Sequence, residues 1–182
     1  LVLELLTSDV SEKVYTQDNE LTTWANKLQI QTHRFPSNIQ DKCDTSHPAI
    51  TVNLGACIQC TRCVRACREE QVNDVIGYAH RGIKSEIVFD INDPMGESTC
   101  VGCGECVQAC PTGALMPSKE VGLTIPDKKV ESVCPYCGVG CLLTYNVKDN
   151  KILYTEGRDG PSNLSRLCVK GRYGFDYINN EG

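Results

Sequence analysis

The sequence predicts an α+β fold organised around cysteine ligands rather than around a large apolar core. Three observations predict it. Cysteine accounts for 13 of the 182 residues, whereas aromatic residues make up only 6%, so ligation must supply part of what a hydrophobic core normally supplies. Eight of the cysteines fall in two copies of one pattern, Cys57-Ile-Gln-Cys60-Thr-Arg-Cys63-Val-Arg-Ala-Cys67 and Cys100-Val-Gly-Cys103-Gly-Glu-Cys106-Val-Gln-Ala-Cys110-Pro111. Between and around them, short strand-like runs alternate with short helical ones.

Each copy reads C-x2-C-x2-C-x3-C, a run in which three cysteines hold one [4Fe–4S] cube and the fourth ligates the other. The predicted sets are therefore Cys57, Cys60, Cys63 and Cys110 on one cube, and Cys67, Cys100, Cys103 and Cys106 on the second. Two-residue gaps let three thiolates converge on three corners of a cube from one tight loop. Exchange of the fourth ligands ties the two halves together. Disulfides would suit a small secreted domain, but nothing here reads as a signal peptide. Zinc sites draw on two ligand pairs per metal, not on two duplicated four-cysteine runs. Arg68 follows Cys67 where this run usually has the proline kept at Pro111, which puts only the local turn in question.

Taken in order, residues 1–7 read as a helix end. Thr16 is expected to cap a second helix reaching Ile30, with Leu21, Trp24, Ala25 and Leu28 as its buried stripe; Trp24 is assigned to core or interface. Gln31 to Pro48 reads as a linker broken by Pro36 and Pro48. Cys43 lies in it, flanked by His33 and His47, and is expected to be a free or buried thiol; His80 is assigned to the surface. Ile50 to Leu54 is a strand feeding the first cysteine loop, and residues 63–71 continue as a helix. Val75–Ala79 and Ile83–Phe89 should pair across Arg81-Gly82, and Thr112–Met116 should form the last strand. Residues 49–117 thus make a two-cluster bacterial ferredoxin-like unit, preceded by a helical segment and linker over 1–48.

A polar linker is expected over 118–130, then a third unit over 131–182. Cys134-Pro-Tyr-Cys137-Gly-Val-Gly-Cys141 is C-x2-C-x3-C, and Cys168 follows downstream. Leu142–Val147 and Lys151–Glu156 should form a hairpin across Lys148-Asp-Asn150 that returns Cys168 as fourth ligand of a third [4Fe–4S] cube. Gly138 and Gly140 let the backbone wrap closely round an inorganic core. Four-cysteine zinc is the alternative for this set.

Charge and hydropathy exclude some classes. The net charge of −5, before any thiolate is counted, argues against a nucleic-acid partner. No run approaches the roughly 20 apolar residues of a membrane span. Many thiols without a leader suggest a reducing, cytoplasmic setting. Both ends read as parts of a longer polypeptide or complex.

Cys134, Cys137, Cys141 and Cys168, followed by Val169-Lys170-Gly171-Arg172, resemble the opening of the molybdenum or tungsten bis-pterin oxidoreductases. Adding the ferredoxin unit, Glu156-Gly-Arg-Asp-Gly160 and Cys168-Val-Lys-Gly-Arg-Tyr-Gly-Phe-Asp-Tyr177, residues 50–178 look very like the catalytic α subunit of cytoplasmic NAD-dependent formate dehydrogenases. The resemblance implies a molybdenum or tungsten bis-pterin guanine dinucleotide in the continuation of the chain, and FMN and NAD on a flavin-bearing iron–sulfur partner subunit. It implies that Lys170, two places after the last cysteine, bridges cube and pterin. It also implies that the residues acting on formate lie beyond this stretch, since no catalytic residue is found within it. Residues 1–30 resemble a piece of the complex I-like region. The three cysteines that accompany a histidine-held cube there have no counterpart before Cys43, so these helices are expected to be a structural remnant. A free-standing polyferredoxin-like carrier of a related oxidoreductase or hydrogenase complex is the rival reading.

Overall fold

The computed structural model describes residues 1–10, 19–30, 34–37, 39–40, 42–118 and 126–179. Two helices open it, α1 (Val2–Ser8) and α2 (Glu20–Lys27). The Asn19 side chain caps α2 by accepting the Thr22 N–H at 2.5 Å, satisfying one of the donors a helix start leaves orphaned. The helix therefore starts later than expected, and Thr16 lies outside the described residues. Only Leu21 and Ala25 of the predicted stripe are buried. Trp24 and Leu28 are exposed, Trp24 with the Lys27 ammonium 4.7 Å from its ring centroid. α2 is docked at its start, where the Glu20 N–H donates to the Pro111 carbonyl at 2.8 Å and the Glu20 carboxylate pairs with Arg62 at 2.7 Å.

The central unit is built as two small antiparallel sheets. β1 (Cys43–Asp44), β2 (Ile50–Asn53) and β5 (Leu115–Pro117) form one, in the order β1-β2-β5. Ile50 faces Pro117 and Val52 faces Leu115, so the chain entering the first cysteine run pairs with the chain leaving the second. β3 (Ile76–Ala79) and β4 (Glu86–Phe89) form a hairpin on the far side. Its connection is a 3-10 turn at Gly82–Lys84 rather than a tight turn at Arg81-Gly82, and Ile83 is exposed outside the strand. α3 (Arg62–Arg65) runs on into a π-helical turn over Ala66–Glu70. α4 (Glu105–Ala109) is its counterpart in the second copy. The core between these elements mixes Ile50, Val52, Ile76, Phe89, Met95 and Leu115 with Cys63, Cys67 and Cys106, so ligand sulfurs are themselves core atoms.

The third unit is a three-stranded antiparallel sheet, β6 (Lys128–Val133), β7 (Leu142–Lys148) and β8 (Lys151–Gly157). The expected hairpin is present, with Lys148 facing Lys151. Its turn is the two residues Asp149 and Asn150, both at positive φ (48° and 62°), as a mirror-image hairpin turn requires. β6 was not foreseen; it occupies the end of the stretch read as linker and pairs with β7 from Lys128–Val147 to Val133–Leu142. Two short helices close the chain, α5 (Val169–Tyr173) and α6 (Asp176–Asn179). No helix among the described residues is long and apolar enough to cross a membrane.

Candidate metal centres

The two ligand loops of the central unit are built alike. Gln59 donates its backbone N–H to Cys57 Sγ, and Gly102 donates its own to Cys100 Sγ, both at 3.4 Å. Both loops turn through the left-handed region at equivalent places, Gln59 and Thr61 (φ 54° and 64°) in the first copy, Gly102 and Gly104 (66° and 74°) in the second. That backbone folds the loop over its own first sulfur. Val75 adds a third donor, its N–H 3.4 Å from Cys67 Sγ. N–H groups aimed at sulfur stabilise thiolate character and are a lever on the potential of an iron–sulfur centre.

The thiols sense each other in three groups. Burial pushes the Cys57 thiol up to about 11, helped by the charges of Cys110 and Cys60 and opposed by the Gln59 N–H. Cys63 is pushed up to about 12 by burial and then by Cys110, Cys57 and Cys60. Cys100 is raised by burial and then by Cys103 and Cys67, against the Gly102 N–H. Cys106 is raised by burial and then by Cys63, Cys103, Cys100 and Cys67; with Cys63 it joins the two groups. In the third unit Cys134 stands at the end of β6, Cys141 just before β7, and the Cys134 N–H donates to the Cys141 carbonyl at 2.8 Å. Cys141 is raised by burial and then by Cys134, Cys137 and Cys168. Charge coupling thus places Cys60 and Cys110 near Cys57 and Cys63, Cys67 and Cys103 near Cys100 and Cys106 with Cys63 also close to Cys106, and Cys134, Cys137 and Cys168 near Cys141. Burial favours the protonated form of Cys57, Cys63, Cys100, Cys106 and Cys141, and taking up a metal cluster must drive off those protons.

The donor chemistry fits iron–sulfur cubes. Sulfur is the donor common to all three sets. Among the described residues no group of three or more His, Cys, Asp or Glu side chains is preset to hold one metal ion. His47 is no candidate ligand through Nδ1, which accepts the N–H groups of Ala49 and Ile50 at 3.1 and 3.2 Å. Cys43 is exposed and lies on β1, and His80 is exposed beside Glu86. His33 lies outside the described residues. Lys170 is exposed on α5, directly after the Cys168 loop.

Two polar residues that sequence reading passed over hold the third neighbourhood in place. Asn163 is buried; its Nδ2 reaches the carbonyls of Leu142, Arg158 and Arg166 at 2.9–3.1 Å, and its Oδ1 accepts the Leu142 N–H at 3.0 Å. It pins the 158–166 loop, which delivers Cys168, to the start of β7. Arg172 is buried against the second cysteine run, where Nε donates to the Cys103 carbonyl at 3.1 Å. Only the Lys-Gly-Arg spelling hinted at Arg172, and Asn163 had no signal beyond its place in a turn-rich segment.

Residues 127–180 match the molybdopterin oxidoreductase Fe4S4 domain, and residues 56–114 match the 4Fe-4S dicluster domain. The chain carries the iron–sulfur domains of a molybdopterin oxidoreductase. Among its relatives is the "Probable oxidoreductase YjgC" of Bacillus subtilis (strain 168), 31% identical over 76% of this chain and 18% of the relative. Another is the "Putative formate dehydrogenase" of Staphylococcus aureus (strain USA300), 28% identical over 90% of this chain and 20% of the relative. The chain thus spans about a fifth of the length of these curated relatives. A solved NAD+-reducing [NiFe]-hydrogenase, in its H2-reduced state, shares the fold at a TM-score of 0.62 and 24% identity, covering 70% of this chain and 56% of that one. These molybdopterin oxidoreductase domains are mixed α and β, as expected, and their family places them in iron–sulfur electron transfer.

Proposed function

We propose that this chain is the electron-relay region of a formate dehydrogenase, carrying electrons from a molybdenum or tungsten bis-pterin site on the rest of the polypeptide towards a flavin- and NAD-binding partner subunit. What carries the reading is the trio of four-sulfur neighbourhoods within matched dicluster and molybdopterin-type domains. Cys57, Cys60, Cys63 and Cys110 would hold one cube, Cys67, Cys100, Cys103 and Cys106 the second, and Cys134, Cys137, Cys141 and Cys168 the third. When bound, each cube accepts and passes on one electron at a time.

The chain's own residues shape that traffic. The N–H donors of Gln59, Gly102 and Val75 favour the more anionic, reduced state of the sulfurs they face. The surface beside the third set is apolar, with Tyr136, Val139, Val169, Tyr177 and Ile178 all exposed. Such a patch is an interaction face, and the four-fifths of the relatives' length that this chain does not span supply its cover, the pterin-binding domains. Lys170 sits on that face, where its ammonium favours reduced, more anionic neighbours on both sides.

The test uses the full-length protein under anaerobic conditions. Formate should bleach the brown cluster absorbance, and Lys170→Ala should keep its iron yet bleach more slowly with formate while responding normally to dithionite. Bleaching by dithionite but never by formate would contradict the formate assignment. Equal formate rates in Lys170→Ala and wild type would contradict the role of Lys170.

A further inference from the structure

One buried side chain joins two of the ligand neighbourhoods. Arg172 is 3% exposed. Its backbone belongs to the third set, since its N–H donates to the Cys168 carbonyl at 3.0 Å. Its guanidinium belongs to the second. Nε donates to the Cys103 carbonyl at 3.1 Å, Nη1 to Gln108 Oε1 at 2.9 Å and Nη2 to Glu105 Oε2 at 3.3 Å. Gln108 reaches back, donating to the Ser165 carbonyl and accepting the Gly157 N–H at 3.3 Å. Gly104 makes the room: a Cβ there would collide with Arg172 Cδ. Glu105 is itself buried and adjoins Cys106 in the sequence.

A buried ion pair is a poor device for stability, because desolvating both charges consumes most of their attraction. All three guanidinium nitrogens nonetheless meet partners on one ligand loop and its helix. Resting on the three-cube reading above, we propose that Arg172 is a positioning residue that fixes the second and third ligand sets against each other and, with Glu105, sets the electrostatic environment of the second. A nearby cation favours the reduced, more anionic form of an iron–sulfur centre and raises its potential; a nearby carboxylate lowers it. Arg172 and Glu105 stand side by side next to Cys103 and Cys106, so neutralising each must move the same centre in opposite directions. A residue that held only the fold would move neither, or would move both alike through loosened packing.

The test compares full-length wild type, Arg172→Gln, Glu105→Gln and Arg172→Lys by iron per chain, EPR-monitored potentiometry and the magnetic broadening between neighbouring reduced cubes. With iron retained, the potential of one centre should fall in Arg172→Gln, rise in Glu105→Gln and stay near wild type in Arg172→Lys. Broadening should weaken in both Arg172 variants, because lysine cannot reach all three acceptors. Unchanged potentials and broadening, or shifts of the same sign in the two neutralised variants, would overturn the proposal. Should Arg172→Gln shed iron, the other two variants decide: no rise in Glu105→Gln together with wild-type broadening in Arg172→Lys overturns it. A wild type with fewer than three cubes sinks the underlying reading instead.

Discussion

Thr61 and Gly104 occupy equivalent places in the two copies and adopt the same left-handed backbone. Glycine takes that conformation freely, whereas an L side chain there costs about 1–2 kcal/mol, and a β-branched one is an outlier. Thr61→Gly should relieve that strain, less the roughly 0.5–1 kcal/mol that glycine adds to the freedom of the unfolded chain. The net gain, up to about 1.5 kcal/mol, should appear as slower iron loss to a chelator; faster loss would contradict it. Gly104→Ala should do the reverse, since its Cβ would meet Arg172 Cδ as well as a strained φ. The cysteine runs could be read as candidate ligands because their spacing alone marks them. Arg172 and Asn163 were not, because a buried polar side chain is defined by partners that only the fold brings near.

Elements were legible where the local pattern was strong. The β7–β8 hairpin carries alternation and a turn signal, and β2 carries the β-branched run Ile50-Thr-Val52. β6 does not: Lys128-Lys-Val-Glu-Ser-Val133 is largely exposed along an edge, and edge strands are kept charged to discourage further pairing. α2 misled for the opposite reason, since its helical stripe is regular but only part of it meets a partner. The loop after β8 depends on Asn163, a side chain that bonds both its own segment and β7. Asn163→Ala leaves buried backbone groups unpaired and should cost about 1–3 kcal/mol. The loss should concentrate at Cys168, so the third cube should fall out first on mild chelation, leaving the ferredoxin-type pair. Simultaneous loss of all iron would contradict that picture.

At the scale of the whole molecule, cysteines replace much of the core, and one face remains apolar and open. The duplicated unit closes on itself through β2 and β5, and the third unit is locked to it by Arg172, Gln108 and the Arg166–Glu70 ion pair. The ferredoxin-like plan was legible in advance because it is written as a sequence repeat; the seam was not, because neither copy contains it. The central claim is that three four-sulfur neighbourhoods hold three cubes. Iron and acid-labile sulfide counted per chain on anaerobically purified, full-length protein test it most directly. The account predicts at least about twelve of each, four per cube. Sulfide near zero, with zinc in place of iron, would contradict it.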